Sequence, residues 1–261
     1  MDVNRKLATI IAALSWVLLG RAAETDNPAP RTVYVAVASN FAAPLGELTK
    51  AFEKKTGAAV KSSSGSTGKL FAQIENGGPF EVFLSADTAH VDLLMNENLA
   101  EKESRFTYAI GRLALYAPRF AQVSEDTLKE ESVRHLAIAN PETAPYGAAA
   151  VETLRGLGLW ESFKDRVVYG ENIAQTLQFV ESGAAEAGFA AYAQVVKRDA
   201  KSYWLVPDDR HAPIRQDACL LVAGKGNAAA RAFLDFLKSD EGVKIIESFG
   251  YSVEKPKAIA K

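Results

Sequence analysis

Short apolar runs alternate with amphipathic segments along residues 33–108. The run 33–38 is continuously apolar, which is typical of a strand buried on both faces of a parallel sheet. After it, Leu45, Leu48 and Phe52 recur at helical spacing, and the helix that they predict ends at Gly57. This strand-then-helix rhythm continues along most of the chain.

The same pattern assigns the other elements. It predicts further strands at 58–62, 80–85, 135–139, 166–169, 187–191 and 204–206. It predicts helices at 90–96, 146–157, 173–182, 193–199, 228–238 and 242–249, and one that starts near Leu70 and ends at Asn76. Strands that alternate with helices favour an α/β fold, with helices on both faces of mostly parallel sheets.

Two long extended runs, 106–117 and 213–223, break the alternation. If both cross between two α/β blocks, the second block is an insertion into the first. The predicted division is then 31–108 plus 217–261 for lobe one and 109–216 for lobe two. A body of this kind has a cleft between its lobes, and ligands bind at the carboxyl ends of parallel strands in such a cleft.

Residues 1–22 have the features of a cleavable signal peptide. Arg5 and Lys6 precede an apolar run at 7–19, which is short for a membrane span, and small residues such as Gly20 and Ala22 follow it. Removing this segment takes away three basic residues and one acidic residue, which changes the formal charge from −2 to −4. A mildly acidic exported protein is a poor candidate for nucleic-acid binding.

The single cysteine, Cys219, lies in an apolar run and is expected to be a buried packing residue. It has no second cysteine with which to form an internal disulfide. An exported chain without such a bond points to the bacterial cell envelope, so we expect a periplasmic location.

Small hydroxyl or amide residues stand at four predicted strand-to-helix junctions. A helix start has free N–H groups and the positive end of the helix dipole, so it attracts anions. Any one such junction is more simply a helix cap. Four that meet in one cleft would hold an oxyanion with neutral donors. The junctions are Ser39-Asn40, Ser66-Thr67, Tyr146-Gly147 and Asn172-Ile173.

A site made only of donors discriminates between oxyanions by their protons. Hydrogen phosphate carries a proton that needs an acceptor, and leaving it unpaired in a buried site is costly. Fully ionised tetrahedral dianions such as sulfate, molybdate and tungstate avoid that penalty. Each hydrogen bond to a charged group contributes roughly 1.5–3 kcal/mol.

Over nearly all of its length after residue 22, the chain resembles the periplasmic molybdate-binding proteins that serve ABC transporters. The segments that carry the resemblance are Ala38-Ser39-Asn40-Phe41, 63–68, 83–87, 140–147 and 188–191. It implies a two-lobed periplasmic-binding-protein fold of type II that closes on molybdate, and on tungstate as well. It also implies an inner-membrane ABC permease as partner, a monomer, no enzymatic activity, no cofactor, and metal bound only as its oxyanion.

The resemblance also implies a ligand set. The donors after the first strand correspond to Ser39 and Asn40, and the serine after the second strand to Thr67, with Ser66 adjacent. Those of the second lobe correspond to Tyr146 and Ile173.

The chain departs from the family pattern at two positions. Some members have a tyrosine hydroxyl at the position of Ala191, so Tyr146 is the candidate to supply that hydroxyl here. Lys69 has no place in the family pattern and is expected on a solvated helix face.

Two alternatives stay open. One is a binding protein of the same architecture for sulfate or another anion, because cavity size decides the ligand. The other is an exported α/β enzyme, which lacks support because no base–nucleophile pair is visible and His90, His135 and His211 lack ligand spacing. The segment 65–69 also lacks the Gly and Ser or Thr positions that a P-loop requires.

Overall fold

The computed structural model describes residues 32–254. The predicted signal peptide, residues 1–22, lies outside the described residues. In the described part, the strands are β1 Val33–Ala38, β2 Val60–Gly65, β3 Val82–Leu84, β4 Phe106–Gly111, β5 Leu113–Tyr116, β6 Leu136–Ala139, β7 Val167–Gly170, β8 Ala187–Ala191, β9 Tyr203–Leu205 and β10 Ile214–Leu220. The helices are α1 Ala42–Thr56, α2 Thr67–Glu75, α3 Ala89–Asn96, α4 Pro145–Gly156, α5 Trp160–Phe163, α6 Ile173–Ser182, α7 Tyr192–Val195, α8 Ala228–Lys238 and α9 Asp240–Ser248.

The strands form two five-stranded sheets with the same arrangement of parallel and antiparallel strands. The first has the order β2-β1-β3-β10-β4 and the second the order β7-β6-β8-β5-β9. In the first sheet β2, β1 and β3 run parallel, and β10 is antiparallel to its neighbours. In the second sheet β7, β6 and β8 run parallel, and β5 is antiparallel to its neighbours. The predicted α/β class with mostly parallel sheets is therefore correct.

Strand β1 is buried on both faces, as its continuous apolar run predicts. Val35 packs in one core with residues of α1 and α8, and Ala36 packs in another with residues of α2 and α3. Cys219 is fully buried in the second of these cores, and burial raises the pKa of its thiol to about 12. Its expected role in packing is confirmed.

Strand β2 is longer than predicted. The sequence suggests a strand at 58–62 and then a loop of small polar residues, but the strand runs to Gly65 and pairs with β1 along its whole length, from Val60 opposite Val33. It is the edge strand of the first sheet, and Lys61 and the serines after it are exposed. Polar side chains are tolerated there because they face solvent at the edge of the sheet.

The two long extended runs are also shorter than predicted. The run 106–117 is divided at Arg112 into β4, which belongs to the first sheet, and β5, which belongs to the second. The run 213–223 contains only β10, which lies in the first sheet. The predicted helix at 193–199 is the short α7.

The division into lobes stays a prediction. Sheet membership favours lobe boundaries at Arg112 and within 206–213, so that 109–111 and 214–216 belong to lobe one.

Candidate functional site

All six residues that the sequence singles out line one small cavity. Its volume, measured as the space open to the centre of a water molecule, is about 10 Å³. A cavity of this size has about the room that one water needs. The cavity therefore suits one small species, whereas pockets for larger organic ligands measure roughly 300–1,000 Å³. Its lining consists of Ala38, Ser39, Asn40, Gly65, Ser66, Thr67, Ala86, Ala144, Pro145, Tyr146 and Ile173.

Ser39 and Asn40 lie in a single turn of 3-10 helix, Ser39–Phe41, directly after β1. Neither side chain caps helix α1, although the sequence suggests both as caps. The Asn40 side-chain amide donates to Gln216 Oε1 at 2.8 Å and to Tyr251 Oη at 3.0 Å. Both amide hydrogens of Asn40 are thus used inside the protein, so we assign its donor toward the cavity to the backbone N–H.

The hydroxyls of Ser66 and Thr67 lie where β2 meets α2. Ser66 is 3% exposed, and its Oγ has no hydrogen-bond partner within the described residues. Thr67 Oγ1 accepts a hydrogen bond from the Ala86 N–H at 3.0 Å, which leaves its own hydrogen free to be donated. A buried hydroxyl hydrogen without an acceptor is costly in a protein interior. The hydroxyl hydrogens of Ser66 and Thr67 are therefore available for donation to a bound species.

Helix α4 leaves one N–H of its first turn unpaired. Pro145 has no N–H, and the N–H groups of Gly147 and Ala148 both donate to the carbonyl of Ala144, at 2.8 and 3.2 Å. The N–H of Tyr146 has no partner among residues 32–254. It is therefore the donor that this helix start offers to the cavity.

Helix α6 has the same arrangement by a different route. The Asn172 side chain caps the helix by accepting from the N–H groups of Ala174 and Gln175, and the Asn172 carbonyl accepts from Thr176. In the described structure, the Ile173 N–H is the one left without an acceptor in this first turn. Two helices of the second lobe thus each offer one backbone donor, and each adds the positive end of its dipole.

The cavity lining is electrically neutral. None of its described lining residues carries a formal charge, and its one titratable side chain is Tyr146. Burial is the main reason why the pKa of Tyr146 lies well above that of free tyrosine, with smaller contributions from Tyr251 and Tyr108. The site can therefore hold an anion only through hydrogen bonds and dipoles.

A larger groove lies beside the cavity and shares Ala86, Ala144 and Pro145 with it. It measures about 290 Å³, and its charged lining residues are Asp87, Glu142, Glu152 and Arg215, with His90 beside them. Its carboxylates outnumber its one guanidinium, which disfavours an anion there, so its greater volume does not make it the better anion site.

The Tyr146 hydroxyl is part of a network that the sequence does not reveal. Its Oη accepts a hydrogen bond from Gln216 Nε2 at 3.2 Å, and Gln216 is completely buried. The single hydroxyl hydrogen of Tyr108 is shared between Gln216 Oε1 and the Ser85 carbonyl, which both lie 3.1 Å from Tyr108 Oη. The only local signal for this network is a glutamine that stands in a predicted strand.

Lys69 lies at the rim of the cleft, with its side chain 49% exposed. Its Nζ is 2.8 Å from Glu171 Oε1, so the pair joins α2 to the connection between β7 and α6. Beside it, the Gly68 N–H donates to the Thr143 carbonyl at 2.9 Å. Both contacts join the first sheet's helix to loops of the second sheet.

Other kinds of site find no support in the part of the chain that the structure describes. Residues 32–254 contain no group of His, Cys, Asp and Glu side chains that could hold a metal ion. The same residues contain no helix that is long and apolar enough to cross a bilayer.

Comparison with known proteins identifies the family to which the chain belongs. The sequence profile described as "Bacterial extracellular solute-binding protein" matches residues 33–252. The chain is 46% identical over 254 residues to the molybdate-binding protein ModA of Azotobacter vinelandii, which covers 95% of this chain and 98% of that protein. It is 43% identical over 223 residues to ModA of Rhodobacter capsulatus, with coverage of 85% and 88%.

A solved structure shows the same fold. The periplasmic molybdate-binding protein of Azotobacter vinelandii superposes with a TM-score of 0.82 at 38% sequence identity, over 85% of this chain and 100% of that one.

Proposed function

Because this chain belongs to the bacterial extracellular solute-binding proteins, and among them to the molybdate-binding proteins of ABC transporters, we propose that its neutral cavity is where it captures molybdate. The chain is similar over almost its whole length to relatives that bind molybdate. The observation that supports this cavity as the site is that six residues from four junctions line one uncharged space.

The proposed ligand set follows from the free donors. Ser39, Ser66 and Thr67 donate through their hydroxyls. Asn40, Tyr146 and Ile173 donate through their backbone N–H groups. Both lobes contribute donors, so a bound oxyanion stabilises the arrangement in which the lobes are closed.

The donor-only lining selects the class of anion. A tetrahedral dianion without a proton accepts a hydrogen bond from every donor, whereas hydrogen phosphate brings a proton for which the lining has no charged acceptor. Molybdate and tungstate meet this requirement equally. Sulfate meets it as well, so discrimination against sulfate depends on the size of the cavity, because sulfate is smaller than molybdate.

The finer parts of the proposal concern the protein's surroundings. The chain is exported by its predicted signal peptide, acts in the periplasm as a monomer, and binds tungstate in the same site. It delivers the oxyanion to an inner-membrane ABC permease. It catalyses no reaction and needs no cofactor, because the oxyanion is cargo that leaves unchanged.

Calorimetric titration of residues 23–261 tests this proposal. Molybdate, tungstate, sulfate and phosphate are added in separate experiments at one pH and one salt concentration. We expect tight one-to-one binding of molybdate and tungstate and no heat from sulfate or phosphate. Equally tight sulfate binding would keep the site but reassign the ligand, and silence with all four anions would remove the oxyanion proposal.

A further inference from the structure

Gln216 is a fully buried amide that contacts two cavity-lining residues without lining the cavity itself. Its Oε1 accepts from Asn40 Nδ2 at 2.8 Å, and its Nε2 donates to Tyr146 Oη at 3.2 Å. Asn40 follows β1 of the first sheet, whereas Tyr146 belongs to α4, which packs on the second sheet. The Gln216 side chain, which lies outside the cavity, therefore connects a lining residue next to the first sheet with a lining residue next to the second.

The backbone around Gln216 is shaped to make this contact possible. A β-bulge lies between Gln216 and Asp217, where β10 pairs with β4. Gly111 ends β4, and a Cβ there would lie 2.1 Å from Tyr146 Oη and 2.6 Å from Gln216 Nε2. Any larger residue would displace both side chains, so the strand ends in the one residue that leaves them room.

The polarity of the amide decides the direction of each hydrogen bond. Tyr146 Oη receives a hydrogen from Gln216 Nε2, and its own hydroxyl hydrogen interacts with Tyr251, so this hydroxyl is engaged inside the protein. Asn40 Nδ2 donates to Gln216 Oε1, and Tyr108 Oη shares its one hydrogen between this oxygen and the Ser85 carbonyl. An amide is the side chain that can do both, because it carries an acceptor and a donor.

Resting on the proposed function, we propose that Gln216 is a positioning residue for oxyanion binding, which holds Asn40 and Tyr146 in one buried network and keeps acceptor lone pairs away from the cavity. It touches no ligand. Its contribution is to fix the orientation of the two residues that do line the site, one from each lobe.

Gln216→Glu is the sharpest test because it changes the donor into a carboxylate with almost no change in shape. The carboxylate would take the hydrogen of Tyr146 Oη and would place a negative charge behind an anion site. We expect molybdate affinity to fall at least about tenfold at about pH 8.5, the scale of one lost charged hydrogen bond. Burial raises the pKa of an unpaired carboxyl, so affinity should recover as the pH is lowered toward about 6 and the group becomes neutral.

The titratable groups around residue 216 could also change their charge with pH, so the test has to account for them. Tyr108, Tyr146 and Tyr251 are neutral in this pH range because burial raises the pKa of each. The adjacent Asp217 carboxylate is held by Arg105 Nε at 2.7 Å and by Thr107, and Arg215 pairs with Glu254. Asp87, which is paired with His90, also acts electrostatically on Tyr108. The recovery of affinity at low pH is therefore assigned to residue 216 only if the wild-type protein and a control lack it.

Gln73→Glu is that control, because it adds the same charge at an exposed position of α2, away from the network. It should keep the wild-type affinity and the wild-type pH profile. Gln216→Met supplies a neutral variant that removes all three hydrogen bonds, and we expect weakened binding with no recovery at low pH. Circular dichroism and denaturation curves show whether each variant is folded.

The outcomes separate this inference from the proposed function. If the wild-type protein fails to bind molybdate, the proposed function is wrong. If it binds molybdate and either folded Gln216 variant binds as tightly at pH 8.5, the positioning role is wrong. A loss of affinity in Gln216→Glu that does not change with pH would also contradict it, because that is the result of a purely structural role.

Discussion

At the scale of single residues, the site consists of hydrogen-bond donors that have no acceptor within the described residues. Ser66 Oγ is buried with no hydrogen-bond partner among residues 32–254, and Thr67 Oγ1 accepts from the Ala86 N–H, which leaves its own hydrogen for donation. The residue type alone marks both as possible caps. Their environment makes them donors, because the protein leaves their hydrogens unpaired in a buried cavity.

Replacing Ser66 with alanine separates binding from stability. We expect Ser66→Ala to weaken molybdate binding about tenfold or more, because a hydrogen bond to a charged group is lost. The free energy of unfolding without ligand should not decrease, because the hydroxyl has no hydrogen-bond partner to lose in the described part of the chain. Calorimetry and urea denaturation measure the two quantities. Ser64→Ala, at an exposed position of β2, is the matched control and should change neither.

Thr67 and Lys69 are two residues apart and should behave differently. Thr67→Ala removes a buried donor and should weaken molybdate binding severalfold or more. Lys69→Ala removes an ion pair whose partners are both about half exposed, and such pairs are worth about 0–1 kcal/mol. Titration of both variants measures the difference. Equal losses of affinity would show that the cavity is not the site.

At the scale of elements, the site depends on where each helix begins. Helices α4 and α6 each leave a single first-turn N–H free in the described structure, at Tyr146 and at Ile173. The first achieves this with Pro145 and the second with the Asn172 cap. The start of α2 contributes in another way, because it also contacts the opposite lobe through Gly68.

Gly68→Ala tests the contact between α2 and the second lobe. An alanine Cβ would lie 3.2 Å from Thr143 Cα, where the Gly68 N–H also bonds the Thr143 carbonyl. The resulting overpacking costs about 1 kcal/mol or more and should appear as about fivefold weaker molybdate binding, mainly through faster dissociation. Stopped-flow measurements give the rates.

Gly46→Ala in α1 is the matched control for that variant. A Cβ at Gly46 meets nothing within 4 Å, so alanine should stabilise the helix by about 0.5–1 kcal/mol and leave binding unchanged. Unchanged dissociation in Gly68→Ala would mean that the α2–Thr143 contact does not hold the cleft closed.

At the scale of the whole molecule, two sheets of the same plan enclose the cavity and are connected through Arg112 and 206–213. The Gly68–Thr143 hydrogen bond and the Lys69–Glu171 pair join the two sides across the cleft. These contacts indicate a closed arrangement. Opening at the two connections would separate the donors of the first lobe from those of the second.

Small-angle X-ray scattering tests that motion. We expect the protein to have a smaller radius of gyration with molybdate than without it, because the anion binds donors of both lobes and favours the closed form. Phosphate at the same concentration should have no effect. Identical scattering curves with and without molybdate, under conditions in which calorimetry detects binding, would show that no closure accompanies it.

Local sequence patterns predict the α/β class, most of the elements and the four strand-to-helix junctions of the candidate site. These features depend on local patterns, such as the apolar run of β1, the Asn172 cap and the small residues at strand ends. The resemblance to the molybdate-binding family added the six-residue ligand set and the expected ligand.

Which donors are free and which are used depends on contacts between residues that are distant in sequence. Asn40 donates one amide hydrogen to Gln216, 176 residues away, and the other to Tyr251, while Gln216 reaches Tyr146 across 70 residues. Strand β2 extends to Gly65 because β1 pairs with its whole length, and the run 106–117 divides because its halves join different sheets. Hydrogen bonds and strand pairing between distant residues form only when the chain is folded, so no local pattern could have shown them.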